Sequence, residues 1–246
     1  MSAPAGTTVL VGASGGIGQA VHRALLDRGE NVIATYRRLP PEIEEEGKHD
    51  AWCYLDMHSD QGIDAGVEAV LDRLGTTPVT RLLFCSGLLH DQQIAPEKQL
   101  AELDSVPFHT AMQVNAYAPL RIVRKLLPRV PRNQPSAISA ISARVGSISD
   151  NQLGGWYSYR MSKAALNMGC RTLSRELMRS HPHCIVSLYQ PGTVATSLSA
   201  PFRRHLPASR VFGVERAAQD YLRVLDSLTP GDSGCFFDWS GQRVPF

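Results

Sequence analysis

Short apolar segments alternate along the chain with longer segments in which apolar residues recur every three or four positions. The short segments are rich in β-branched and aromatic residues, and they predict strands at 7–11, 31–35, 51–55, 81–85, 136–142, 184–189 and 234–239. The longer segments have the helical period and predict helices at 22–28, 63–74, 108–128, from 158 onward and at 214–228. Strands that alternate with helices predict an α/β fold, a Rossmann-type doubly wound parallel sheet with helices on both faces.

Two segments lack a regular pattern. Residues 40–50 are acidic and contain proline, which is typical of a surface loop. Residues 201–212 predict a loop or a small insertion before the last helix.

Length and composition limit the kinds of protein this chain can be. It has 246 residues, 43% hydrophobic and 20% charged, which suits one globular domain spanning residues 1–246. The formal net charge is +2 and the arginines are scattered, which argues against nucleic acid as a partner. No signal peptide begins the chain and no apolar run of about 18 residues occurs, which argues against a membrane. We therefore expect a cytoplasmic protein that binds small anions.

The five cysteines are odd in number, far apart and in no C-x-x-C spacing. That distribution argues against a disulfide framework and against a metal site. We expect ordinary thiols in a reducing compartment and no bound metal.

A glycine cluster lies between the first strand and the first helix. Glycines at this point allow positive φ and close approach of the backbone, while the helix N-terminus offers free N–H groups to a pyrophosphate. The residues predicted to bind a dinucleotide here are Gly12, Ser14, Gly16, Ile17 and Gly18.

The end of the second strand indicates which dinucleotide is bound. An acidic residue there would bind the ribose 2′-hydroxyl of NAD, but this chain has Arg37 and Arg38. Guanidinium groups suit a 2′-phosphate, so we predict NADP (NADPH) as the cofactor. The alternative is that both arginines are solvated surface charges.

Tyr159 and Lys163 are four residues apart on a predicted helix and therefore lie on one face. A phenol has a pKa of about 10, and an adjacent cation favours its ionised form. The pair is thus a candidate general acid/base, although such pairs are also common on solvated helix faces.

Several motifs in the same order resemble the short-chain dehydrogenase/reductase family over essentially the whole chain. The glycine turn, an Asp56-Met57 pair after the third strand, Asn115 on a helix, and Tyr159 with Ser162 and Lys163 all match. The segment 191–196 matches the part of the family that lines the nicotinamide. The resemblance implies further cofactor contacts at Asp56, Met57, Ser86, Gly87, Asn115, Tyr159, Lys163, Pro191, Gly192, Val194 and Thr196.

Four segments resemble one branch of the family, which contains sniffer-type carbonyl reductases and C-factor-like signalling proteins. They are 142–148, 155–160, 232–234 and 239–241. This resemblance implies NADPH-dependent reduction of a ketone or aldehyde, with Tyr159 giving the proton. It implies that Lys163 lowers the pKa of the tyrosine and binds the nicotinamide ribose, and that Asn115 positions a water behind Lys163. The alternative is an NADP(H)-binding signalling or sensor protein with little or no catalysis.

The chain departs from the family pattern at two positions. The segment Phe84-Cys85-Ser86-Gly87 stands where the family has N-x-A-G, so the structural asparagine of the family is lost. Ala143 stands where the family has the serine that binds the substrate oxygen. Ser142 is the favoured replacement and completes the predicted catalytic set of Tyr159, Lys163, Asn115 and Ser142, while Ser147 or a site without a serine stays open.

Substrate and assembly are less constrained. The loop 197–211 carries Arg203, Arg204, His205 and Arg210, which favours an anionic carbonyl compound as the small-molecule substrate. The resemblance implies a homodimer or homotetramer that pairs through the helices near 108–127 and 159–178, and a monomer is the alternative.

Overall fold

The computed structural model describes residues 6–38 and 52–246. The predicted acidic loop at 40–50 lies outside the described residues. Within them, seven parallel strands form one sheet, in the spatial order Trp52–Tyr54, Asn31–Tyr36, Thr7–Val11, Val79–Phe84, Ser136–Ile141, Cys184–Gln190 and Cys235–Asp238. This confirms the predicted doubly wound sheet.

The sheet strands lie close to the predicted segments. They are β1 (Thr7–Val11), β2 (Asn31–Tyr36), β3 (Trp52–Tyr54), β4 (Val79–Phe84), β5 (Ser136–Ile141), β6 (Cys184–Gln190) and β9 (Cys235–Asp238). A second, two-stranded sheet pairs β7 (Thr193–Val194) with β8 (Val211–Phe212). The segment predicted as a loop at 201–212 therefore ends in a short strand.

The helices are α1 (Gly16–Asp27), α2 (Asp60–Leu74), α3 (Ser105–Met112), α4 (Ala118–Leu126), α5 (Tyr157–Ser180) and α6 (Val214–Ser227). The first helix begins six residues before the predicted start, because the glycine turn leads directly into it. The predicted helix at 108–128 begins instead at Ser105, where the Asp104 side chain accepts a hydrogen bond from Val106 N and so caps the helix. Its first turn accommodates Pro107.

The sheet is buried on both faces, because successive side chains on one strand point in opposite directions. On β1, Val9 and Val11 belong to the core beneath α2, α4 and α5, whereas Leu10 belongs to the core beneath α1 and α6. The strands are therefore apolar runs rather than alternating patterns, as expected for a parallel sheet between two helical layers.

The strand order reverses between β1 and β4, since one half of the sheet continues through β2 and β3 and the other through β5, β6 and β9. Ligands of such sheets bind in the crevice outside the carboxyl ends of the strands at this switch point. In the described part of the chain, no helix is long and apolar enough to cross a membrane.

Candidate active site

A cleft of about 1010 Å³ lies across the switch point, at the carboxyl ends of the central strands. It brings together most of the residues that the sequence singles out: Gly12, Ser14, Gly16, Ile17, Arg37, Arg38, Met57, Ser86, Gly87, Ser142, Tyr159, Lys163, Pro191, Gly192, Val194 and Thr196. Gly18, Asp56 and Asn115 are not among the lining residues. The described residues include no cluster of three His, Cys, Asp or Glu side chains that could hold a metal ion.

The glycine turn has the geometry of a phosphate cradle. Gly12 has φ of 79°, a conformation that favours glycine. A Cβ on Gly18 would lie 2.2 Å from the Gly12 carbonyl oxygen, so only glycine fits there. Helix α1 has Gly15 as its N-cap and no side-chain capping bond, which leaves its first N–H groups available to a phosphate.

Ser86 faces this turn from the end of β4. Its hydroxyl is buried and has no hydrogen-bond partner among the described residues. A Cβ on Gly12 would lie 2.8 Å from Ser86 N, so the two backbones are in close contact. A buried hydroxyl without a partner is costly, and a ligand in the cleft would satisfy it. The turn and this hydroxyl together fit a dinucleotide.

The segment after β6 closes the other side of the turn. Gly192 has φ of 76°, and Val194 forms part of the small sheet with β8. A Cβ on Gly16 would lie 2.9 Å from Thr196 Cγ2, so Thr196 packs directly against the start of α1. The predicted phosphate and nicotinamide segments are therefore neighbours in space.

Tyr159 and Lys163 lie in the first two turns of α5 and are both buried, with 8% and 2% of their surface exposed. Lys163 Nζ lies 5.8 Å from the centroid of the Tyr159 ring. The same ammonium donates a hydrogen bond to the Ile141 carbonyl oxygen at 3.0 Å. This bond attaches α5 to the end of β5.

Burial controls the ionisation of both groups, which differs from the expectation that the lysine lowers the tyrosine pKa. Loss of hydration raises the pKa of the Tyr159 phenol well above its ordinary value. Burial lowers the pKa of Lys163 to about 8, and Cys170 opposes that shift. At neutral pH the tyrosine therefore holds its proton.

Asn115 lies in a π-helical turn, Gln113–Tyr117, that joins α3 to α4. Its amide accepts from Leu88 N and donates to Leu88 O, both at 2.7 Å, and also donates to Ser162 Oγ at 2.9 Å. Ser162 in turn donates to the Tyr159 carbonyl oxygen at 2.8 Å. Asn115 thus connects the loop after β4 to α5. The expected hydrogen bond from Asn115 to a water stays a prediction.

The two candidate serines are both engaged elsewhere. Ser142 donates its hydroxyl to Asn167 Oδ1 at 2.7 Å, and its side chain is buried. Ser147 is buried, accepts from Asp150 N at 3.2 Å and does not line the cleft. Ser142 and Ala143 both line the cleft, and Ala143 has no hydroxyl to offer. The Ser142 hydroxyl is thus already hydrogen-bonded to Asn167, and its predicted catalytic role stays a prediction.

Sequence analysis missed Glu97, whose carboxylate is buried at the N-terminus of α5. It accepts hydrogen bonds from the Ser158 backbone N–H and from the Ser158 hydroxyl. A negative charge at this end complements the helix dipole. Trp156, the residue immediately before α5, has φ of 53°, so the chain enters the helix through a residue in the left-handed conformation. Glu97 and Ser158 are far apart in the sequence, so only the tertiary structure shows that they are hydrogen-bonded.

Two aromatic side chains, Trp156 and Phe202, line the cleft with Tyr159. The Trp156 ring lies 6.2 Å from the Tyr159 ring and 4.8 Å from that of Phe202, centroid to centroid. His90 lies edge to face with Phe202 at 5.5 Å. The cationic side chains expected to attract an anionic substrate, Arg203, Arg204, His205 and Arg210, do not line the cleft. That expectation is not supported, because the loop residues that line the cleft are uncharged: Ser197, Leu198, Ser199, Phe202 and Leu206.

At the far end of the cleft, Arg37 and Arg38 follow β2 as expected. Asp56 accepts from His58 N at 3.1 Å and from His58 Nδ1 at 2.7 Å. The carboxylate is thus held by His58, and it is Met57 and His58 that line the cleft.

Comparison with known proteins gives consistent matches. A family model described as short chain dehydrogenase matches residues 7–207. The chain is 29% identical over 231 residues to 1-hydroxy-2-glutathionyl-2-methyl-3-butene dehydrogenase of Rhodococcus sp. (strain AD45), covering 94% of this chain and 95% of the relative. It is 36% identical over 148 residues to the C-signal of Myxococcus xanthus, covering 60% of this chain and 83% of the relative.

A solved structure of NADPH-bound carbonyl reductase from chicken fatty liver superposes with a TM-score of 0.83 at 26% identity, covering 98% of each chain. The family match spans far more than half of the chain, and the predicted motifs lie together at the switch point. The chain therefore belongs to the short chain dehydrogenase family of oxidoreductases.

Proposed function

We propose that the protein is an NADPH-dependent carbonyl reductase that converts an apolar ketone or aldehyde to an alcohol. The observation that carries this proposal is the buried Tyr159 phenol, which lies beside Lys163 in the cleft that begins at the glycine turn. The similarity to an NADPH-bound carbonyl reductase supports the same reaction class.

The residues present fit the proposed cofactor. The first turn of α1 would hold the pyrophosphate, Arg37 and Arg38 the adenosine 2′-phosphate, and Ser86 a hydroxyl or phosphate oxygen near Gly12. Val194 and Thr196 would hold the nicotinamide end, and Lys163 its ribose. When bound, NADPH supplies the hydride that reduces the carbonyl carbon.

Tyr159 supplies the proton. Because burial raises the pKa of the phenol, the side chain stays protonated at neutral pH and is a donor to an oxygen that develops negative charge. Lys163 is cationic below about pH 8 and stabilises that charge through the same cleft. Asn115 keeps the loop at Leu88 and the helix at Ser162 in register, which fixes the phenol relative to the glycine turn.

The reaction proceeds here without a serine hydroxyl on the substrate oxygen. Ala143 and Ser142 both line the cleft, but Ala143 has no hydroxyl and that of Ser142, the predicted catalytic serine, is bound to Asn167. We therefore assign proton donation and oxygen binding to Tyr159 alone, and we assign Ser142 a supporting role through Asn167.

The substrate we propose is apolar and aromatic or bulky. Trp156 packs against Tyr159 and Phe202, and it lines the cleft with Phe202 and Leu206; such side chains favour flat or bulky apolar groups.

The test is NADPH oxidation by the full chain against a panel of aromatic aldehydes, diketones, quinones and acidic carbonyl compounds. The variant is Tyr159→Phe, and the matched control is Tyr157→Phe, because Tyr157 lies on the same helix turn but does not line the cleft. We expect turnover of apolar carbonyls by the wild type and the control, and a loss of about 10²-fold or more in kcat for Tyr159→Phe with NADPH affinity retained.

Two results would contradict the proposal. Equal turnover by Tyr159→Phe and wild type would exclude Tyr159 as the proton donor. Tight NADPH binding with no turnover of any carbonyl would instead favour the sensor or signalling function, with Ala143 as the physical reason.

A further inference from the structure

The chain takes an unusual backbone path just before α5. Among the described residues other than glycine, only Trp156 has a positive φ, with φ of 53° and ψ of 45°. The two residues before it, Gly154 and Gly155, each have φ of 65°. This left-handed conformation is unfavourable for a residue with a Cβ, and it persists only where the surrounding structure holds it. The turn 154–156 therefore depends on contacts with its neighbours.

The Arg160 guanidinium makes several of these contacts from the first turn of α5. Its Nε donates to the Gly155 carbonyl oxygen at 2.8 Å, and its Nη2 donates to the Gly154 carbonyl oxygen at 2.9 Å. Its Nη1 donates to the carbonyl oxygen of Val145, a cleft-lining residue, at 3.4 Å. Because a guanidinium is a rigid planar fork of donors, it fixes these three oxygens relative to one another.

The segment at Glu97 supports the turn from another side. The Trp156 N–H donates to the Glu97 backbone carbonyl oxygen at 2.5 Å. A Cβ on Gly155 would lie 3.4 Å from the same oxygen, so the turn packs closely against this segment. The Glu97 side chain is buried and accepts from Ser158 N at 3.2 Å. The turn is thus held between residue 97 and the Arg160 guanidinium.

The backbone at Trp156 determines where the indole ring lies, because φ and ψ set the direction of the bond from Cα to Cβ. The ring lines the cleft, 6.2 Å from the Tyr159 ring and 4.8 Å from the Phe202 ring. Arg160 itself does not line the cleft. A side chain outside the cleft therefore fixes an aromatic group inside it.

We propose that Arg160 is a positioning residue, which holds the turn 154–156 in its left-handed conformation and so keeps the Trp156 ring against the substrate. The inference rests on the proposed function, because it presupposes a carbonyl compound bound beside Tyr159. Arg160 then determines specificity without touching the substrate. It favours flat, bulky carbonyl compounds, whose reaction gains from contact with the ring, over small ones.

The kinetic test measures kcat/KM of the full chain with NADPH for a diaryl diketone and for a small aliphatic diketone. The readout is the ratio of the two values. Arg160→Met keeps a long side chain and removes the donors, Trp156→Ala removes the ring, and a third protein combines both substitutions. The matched control is Arg175→Met, because Arg175 is exposed further along α5.

We expect Trp156→Ala and Arg160→Met each to lower the ratio about fivefold, which is the size of one aromatic contact. In the Trp156→Ala background, Arg160→Met is expected to change the ratio by less than about twofold, since the ring that it positions is gone. Arg175→Met is expected to keep the wild-type ratio. Arg160→Lys, whose single ammonium lacks the planar fork, is expected to give an intermediate ratio and serves as the test if Arg160→Met does not fold.

A second measurement reports the ring position without any turnover. Trp52→Phe combined with Trp239→Phe leaves Trp156 as the only tryptophan of the chain. In this protein, Arg160→Met is expected to shift the fluorescence emission to longer wavelength and to increase quenching by acrylamide, because the ring loses its contact with Phe202. Urea unfolding of each protein shows whether a change in emission reflects the ring or a loss of folding.

The inference is overturned if Arg160→Met leaves the ratio or the emission at the wild-type value, or raises the ratio. It is also overturned if Arg160→Met lowers the ratio equally with and without Trp156, as a general loss of stability would. A failure of the proposed function has a different signature, because the wild type would then turn over neither diketone. The fluorescence would still decide whether Arg160 positions Trp156.

Discussion

Restoring a hydroxyl at position 143 tests how the site works without the usual serine. Ala143 lines the cleft with φ of −149° and ψ of 147°, an extended conformation that serine adopts without strain. Ala143→Ser would therefore place a donor beside the substrate oxygen. Ser142→Ala, one residue away, removes a hydroxyl whose partner is Asn167 Oδ1 at 2.7 Å. The two variants separate a catalytic from a structural hydroxyl.

Ala143→Ser is expected to change kcat, whereas Ser142→Ala is expected to change the free energy of unfolding. Removal of one donor from an oxyanion site costs about 10²- to 10³-fold in kcat, or about 2.7–4 kcal/mol. A donor added without remodelling its surroundings recovers part of this, so we expect Ala143→Ser to raise kcat about tenfold, which corresponds to about 1.4 kcal/mol. Ser142→Ala leaves a buried acceptor without its donor and is expected to lower the free energy of unfolding by about 1–3 kcal/mol.

The assay is steady-state kinetics with NADPH and the best apolar carbonyl of the panel, beside urea unfolding of each protein. Ala143→Cys is the matched control for side-chain size, because a thiol is a weak donor and is expected to leave kcat near the wild-type value. The reasoning is refuted if Ser142→Ala lowers kcat about 10²-fold with its stability unchanged while Ala143→Ser has no effect.

Three further predictions concern pH, folding and substrate. Burial, with Arg23 as a second cause, lowers the pKa of His22, so its neutral form stabilises the fold fully above about pH 6.5 and progressively less as the pH falls below it. His22→Phe is therefore expected to flatten the loss of stability between about pH 7.5 and about pH 5.5 in urea unfolding. Glu97→Gln weakens the cap on Ser158 and is expected to lower the free energy of unfolding by about 1–2 kcal/mol, measured in the same way. Arg203→Ala is expected to change the ratio of kcat/KM for acidic over neutral carbonyls by less than about twofold, because its side chain lies outside the cleft.

Matched control variants are available for the two stability predictions. His183 is exposed, and His183→Asn serves as the control for loss of a surface histidine. Glu102 is an exposed carboxylate that accepts from Lys98 N, and Glu102→Gln is expected to cost less than Glu97→Gln. A His22→Phe profile identical to the wild type, or a Glu102→Gln variant less stable than Glu97→Gln, would contradict the burial arguments. A loss of preference for acidic carbonyls in Arg203→Ala would restore the anionic substrate that the sequence favoured.

The sequence alone determined the fold and the identity of the central residues. Apolar runs separated by helical periods are a local property, so strand and helix positions followed from them, and the alternation required a parallel sheet with its crevice at the strand ends. The glycine turn could be predicted from the sequence, because two backbone segments can approach this closely only where one of them has a glycine. The proximity of Tyr159 and Lys163 could be predicted from the sequence, because residues four apart on a helix lie on the same face. Element ends were less certain, as Pro107 shows, since a proline is equally acceptable before a helix and in its first turn.

Tertiary structure decided what each side chain does. Ser142 and Ala143 are adjacent in sequence, and only the packing of α5 against β5 shows that the hydroxyl turns to Asn167 while the methyl group lines the cleft. Burial, which no local pattern measures, keeps the proton on Tyr159 and lowers the pKa of Lys163. Arg37 follows β2 and His58 follows β3, and the pairing of these two strands brings the side chains within hydrogen-bond distance. Periodicity specifies where the elements are, but the charges and hydrogen bonds of the site arise between residues far apart in the chain, where only the folded geometry sets the distances.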